Sequence, residues 1–144
     1  MAFAADACRC LADCDEVAPV FEGVPQTLQR VASFSPIIIL SASARSSIEP
    51  FLYFHGCAAH VSAILSRDTA GGKSEKLKIL QNKATSPVCC IVGDGFSDME
   101  AAKLANIPAT GVAWGWQAPD LLRHTGADFI ADTPADIIHI LNSL

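Results

Sequence analysis

The apolar run from Val88 to Val92 stops at Gly93-Asp94-Gly95, and a helix-like run begins at Met99. A second aspartate, Asp98, follows four residues after the first. In a parallel α/β sheet this pattern is a strand delivering two carboxylates to its carboxyl end, where such folds bind ligands. Paired oxygens at a strand tip suit a hard divalent cation, above all Mg²⁺ beside a phosphate. The same letters also fit a plainer arrangement, a strand and a glycine turn with an aspartate as helix N-cap.

The rest of the chain repeats the strand-then-helix rhythm. Ile37 to Ser41 is a β-branched run without alternation, as expected of a strand buried on both faces. Val61 to Leu65, Ala109 to Ala113 and Asp128 to Ile130 read as further short strands. Helical spacing runs from Pro25 to Val31, Ser43 to Phe54, Ser74 to Lys83, Asp98 to Ala105, Pro119 to His124 and Pro134 to Leu141. Pro25 is placed to start its helix, whereas Pro50 must fall in the first turn of its own or kink it. The βαβα order predicts an α/β fold: a three-layer, Rossmann-like parallel sheet with helices on both faces. Residues 3–17 are rich in Ala and Cys and read weakly as helix, with Phe3, Ala7, Cys10, Leu11 and Cys14 at helical spacings.

Composition narrows the class. At 144 residues the chain fits one domain with a real core. It is 51% hydrophobic, yet no apolar run approaches the ~20 residues of a membrane helix. The N-terminus has no basic region before an apolar core, so no secretory signal is visible and a cytoplasmic location is expected. The net charge is −5 with no Lys/Arg cluster, which argues against nucleic acid as a partner. Of the six cysteines, Cys89 and Cys90 are adjacent in a predicted strand, and reduced, buried thiols are expected. Cys8, Cys10 and Cys14 lack the paired CxxC spacing of zinc modules.

Four polar residues sit at or near the places where strands should end. Ser41 closes the Ile37–Leu40 run; its hydroxyl and the backbone N–H groups of the following turn, from Ala42 on, can bond a phosphoryl oxygen. Capping the next helix is its plainer role. Lys73 follows Gly71-Gly72 and precedes a helix, where an ammonium can neutralise a phosphoryl group or a nucleophilic carboxylate. Asp94 and Asp98 complete the set.

Leu40-Ser41-Ala42-Ser43, Gly72-Lys73-Ser74 and Gly93-Asp94-Gly95-Phe96-Ser97-Asp98 resemble, in order and spacing, three of the four motifs of the haloacid dehalogenase (HAD) superfamily. Glu100 to Pro108, Gly111 to Trp116 and Ala127 to Asp132 resemble the following helix and strands of phosphoglycolate-phosphatase-like members. The resemblance covers about residues 20–141. It implies a Mg²⁺-dependent phosphomonoester hydrolase acting on a small phosphorylated metabolite through an aspartyl-phosphate. It further implies that Ser41 and Ala42 hold the phosphoryl group, that Lys73 steadies it and the nucleophile, and that Asp94 binds Mg²⁺ directly, with Asp98 either as a further ligand or just behind the ligands.

The departure concerns the nucleophile. Members of the superfamily begin with an apolar strand ending in Asp-x-Asp, and the candidate here is Asp13-Cys14-Asp15. Asp13 would be nucleophile and Mg²⁺ ligand, Asp15 the general acid/base. Cys8 to Ala12 makes a poor central strand, and the few residues between Asp15 and Phe21 leave little or no room for a cap. Residues 1–19 therefore read either as an atypical first strand or as a cap-helix remnant, ahead of a core domain at 20–144. The second reading implies a catalytically inactive or truncated HAD-like domain, an interaction module or part of an assembly, whose incomplete sheet is covered by a partner, another copy or a rearranged N-terminus.

Overall fold

The computed structural model describes residues 2–3, 17–83 and 87–144. Along the chain run β1 (Ala2–Phe3), α1 (Val24–Ala32), β2 (Ile38–Leu40), α2 (Arg45–Phe54), β3 (Ala63–Leu65) and α3 (Lys73–Lys83). Then follow β4 (Ile91–Gly93), α4 (Phe96–Ala105), β5 (Ala109–Val112), α5 (Pro119–Thr125), β6 (Phe129–Ala131) and α6 (Asp136–Ser143). The strands form one parallel sheet in the order β3-β2-β1-β4-β5-β6. This is the expected α/β architecture.

Successive residues of a strand face opposite layers, and the core divides accordingly. Ile39 and Val92 join Leu28 and Val31 of α1, Ile48 and Leu52 of α2 and Ile137 of α6. Leu40 and Ile91 join Leu77 of α3, Met99 and Ala102 of α4 and Leu122 of α5. Each fully buried Leu, Ile or Met side chain contributes roughly 2 kcal/mol of apolar transfer free energy. The two layers thus clamp the sheet from both sides and leave its carboxyl edge as the place for polar groups.

The centre of the sheet differs from the sequence reading. Phe3 is in a strand rather than a helix, pairing with Ile39 on one side and Val92 on the other. The place between β2 and β4 is therefore filled by Ala2–Phe3. Residues 4–16, including Asp13 and Asp15, lie outside the described residues.

Smaller differences have local causes. β4 begins at Ile91 rather than Val88, because ladder pairing starts only where Ala2 and Ala109 lie alongside. Cys90 is buried against Thr110, its sulfur 3.3 Å from the hydroxyl, but Cys89 is exposed, contrary to expectation. Pro50 falls in the second turn of α2, where its missing N–H withdraws one intrahelical bond. α6 starts two residues late, behind a Thr133–Asp136 link in which the Thr133 N–H and hydroxyl both donate to Asp136 Oδ2.

Candidate active site

The strand order reverses between β1 and β4, and open α/β sheets bind ligands at the carboxyl side of such a switch point. Asp94 is the first residue past β4. Ser41 is the first past β2, on the other side of β1. The register ties the two together, since Phe3 pairs with Ile39 and Val92, each two positions before one of these residues.

Lys73 opens α3 and Asp98 is the third residue of α4. The Lys73 ammonium donates to Asp98 Oδ1 at 2.5 Å and to the Ser97 hydroxyl at 3.3 Å. Asp98 is 1% exposed. Its second oxygen, Oδ2, accepts the Gly95 N–H at 3.2 Å, while its own N–H donates to the Gly95 carbonyl at 3.1 Å. Burial pushes the Asp98 carboxyl above its usual range. The Lys73 charge and hydrogen bond and the Gly95 N–H oppose that rise, and the nearby Asp94 charge adds to it. Gly93 makes the packing possible: a Cβ there would stand 2.6 Å from Asp98 Cβ, Cγ and Oδ2.

Asp94 is held differently. Its Oδ2 accepts the Trp116 N–H at 3.0 Å, and its backbone carbonyl accepts the Gln117 N–H at 3.2 Å. Its Oδ1 is buried and has no hydrogen-bond partner among the described residues. A buried anionic oxygen without a donor is costly, and a hard cation is the natural group to satisfy it. The donor chemistry thus fits Mg²⁺ at Asp94. Both oxygens of Asp98 already have partners, so Asp98 supplies charge and orientation before it supplies a ligand. Among the described residues no group of three His, Cys, Asp or Glu gathers into a metal cluster.

Ser41 is 2% exposed, and its hydroxyl oxygen accepts the Ser43 N–H at 3.0 Å, shaping the turn through Ala42. Ala42 and Lys73 line one cleft of about 310 Å³ with Ser97. A larger groove, about 610 Å³, runs along edge strand β3 and α2 and contains none of these residues. Size alone therefore does not mark the site. Sequence reasoning missed Ser97, Gly115, Trp116 as a backbone donor, and Gln117. Ser97 was visible in the Gly-Asp-Gly-Phe-Ser-Asp run; the other three sit more than twenty positions from Asp94 and carried no local signal.

Fold and site define a parallel α/β protein whose switch-point edge gathers an acid pair, a lysine and a serine turn. Residues 11–112, more than half of the chain, match the haloacid dehalogenase-like hydrolases, and the chain belongs to that family. A phosphoglycolate phosphatase from Synechococcus elongatus is 29% identical over 139 residues, covering 94% of this chain and 66% of its own length. A predicted phosphoglycolate phosphatase from Haemophilus somnus superposes with a TM-score of 0.78 at 20% identity, over 88% of this chain and 59% of that one. A Bacillus subtilis protein assigned as a HAD hydrolase and bound to magnesium, YfnB, gives a TM-score of 0.71 at 14% identity, over 85% of this chain and 55% of that one. At these identities the two structures show a shared fold. The chain spans less than two thirds of the length of each of these relatives.

Proposed function

We propose that this chain carries the phosphate- and cation-binding core of a Mg²⁺-dependent phosphomonoester hydrolase acting on a small phosphorylated metabolite. One observation carries the reading: the buried Asp94 Oδ1 at the switch point, without a hydrogen-bond partner among the described residues and beside the Lys73–Asp98 pair. Asp94, with Asp98 behind it, would hold Mg²⁺; when bound, the ion screens the repulsion between an anionic nucleophile and a phosphoryl group. Ser41 and the Ala42 N–H supply donors to a phosphoryl oxygen. Lys73 balances charge on the transferring group.

The nucleophile is proposed to come from the segment after β1. Asp13 has the Asp-x-Asp spacing with Asp15. Its carboxylate oxygen attacks phosphorus, the bond to the leaving oxygen breaks, and Asp15 gives that oxygen its proton. Water, giving a proton to the now ionised Asp15, then attacks phosphorus of the aspartyl-phosphate and releases inorganic phosphate, restoring the Asp13 carboxylate and the protonated Asp15. Asp6 is the first carboxylate after Phe3 in the sequence and is the control residue for this assignment.

The test is hydrolysis of p-nitrophenyl phosphate by the purified chain, with and without Mg²⁺. The proposal expects Mg²⁺-dependent turnover, lowered about a hundredfold or more in Asp94→Asn and abolished in Asp13→Asn. Loss in Asp6→Asn with Asp13→Asn unaffected moves the nucleophile to Asp6. Mg²⁺ binding without turnover in the wild type assigns the chain to the non-catalytic reading instead.

A further inference from the structure

We infer that Gln117 is a positioning residue for the cation site, acting through residues 115–117, which hold Asp94 with one oxygen turned free for a ligand. The inference rests on the reading of Asp94 as a cation ligand. Strands β4 and β5 lie side by side, with Gly93 opposite Gly111, so the loop after β5 passes the tip of β4. There three hydrogen bonds join the two loops. The Trp116 N–H fixes Asp94 Oδ2 at 3.0 Å, and the Gln117 N–H fixes the Asp94 carbonyl at 3.2 Å. The Gln117 side chain then returns the contact, its Oε1 accepting the Phe96 N–H at 2.5 Å.

The Phe96 amide is the first of α4, a donor with no partner inside the helix. Gln117 therefore ties down both ends of the turn 94–96, the segment that aims the Asp94 carboxylate. Gly115 completes the clamp, because a Cβ there would stand 2.1 Å from Asp94 Cβ. Together these contacts select one carboxylate orientation, with Oδ2 engaged and Oδ1 without a partner among the described residues. Groups that orient a metal ligand typically change affinity by ten- to a hundredfold when removed. A residue that merely caps α4 would change stability and leave affinity alone.

The experiment is Mg²⁺ titration calorimetry on the full chain, paired with amide hydrogen exchange in metal-free buffer. Gln117→Ala should bind Mg²⁺ about tenfold more weakly, with faster exchange at the amides of Phe96 and Trp116. Gln117→Glu keeps the acceptor oxygen and should restore both. Gly115→Ala reaches the same carboxylate by a different route and should also weaken binding. Wild-type affinity in Gln117→Ala despite faster Phe96 exchange would reduce Gln117 to a helix cap and overturn the inference. Should Gln117→Ala not fold, unchanged affinity in Gly115→Ala overturns it equally. A wild-type chain that binds no Mg²⁺ removes the underlying site as well, an outcome distinct from the other two.

Discussion

Asp98 loses its hydration on folding and recovers only part of it from Lys73 and the Gly95 amide, which is why its carboxyl titrates above the usual range. The folded state holds this proton more tightly than the unfolded chain, so stability from this group is complete below the ordinary carboxylate range and is lost as pH rises through the elevated value. Asp98→Asn mimics the protonated form. In metal-free buffer at neutral pH its urea midpoint should equal or exceed that of the wild type. Lys73→Met leaves the buried carboxylate without its cation and should cost about 3 kcal/mol, part of which the double variant recovers. An Asp98→Asn protein clearly weaker than wild type would show the pair to be net stabilising. The cysteines give a second test at this scale. Burial raises the Cys57 thiol and pushes Cys90 up to about 11, while Cys89 is exposed. Brief alkylation of the native protein, mapped by mass spectrometry, should label Cys89 and spare Cys57 and Cys90.

Two elements carry more than their length suggests. β1 has only two residues, yet it separates β2 from β4 and pairs with both. Removing residues 1–3 would leave two facing strand edges unpaired in the middle of the sheet. The expected result is loss of a cooperative thermal transition; a truncated chain that melts like the wild type would show that β1 contributes little. α3 positions Lys73 by packing against α4. Leu77 is its fully buried apolar residue, and Lys76, 5% exposed, donates to the Ser66 carbonyl at 2.7 Å. Leu77→Ala should cost about 3 kcal/mol by chemical denaturation.

Over the whole molecule the site and the fold are linked by mass action. A cation that binds only the folded chain raises stability by about 2.7 kcal/mol at a hundred times its dissociation constant. The melting temperature should therefore climb with Mg²⁺, and the climb should vanish in Asp94→Asn. A rise of equal size in both proteins would place the ion elsewhere.

The alternation of strands and helices, the family, and the places of Ser41, Lys73, Asp94 and Asp98 at element ends were legible in the sequence. These follow from periodicity and from glycine-rich turns, which act over a few residues. Tertiary structure alone decided which residues complete the sheet centre, since Ala2–Phe3 is too short to show any period and is a strand only because β2 and β4 flank it. It also decided which oxygen of Asp94 stays free. That choice depends on Trp116, Gln117 and the bare Cα of Gly115 arriving from the end of β5, contacts that no local pattern around Asp94 encodes.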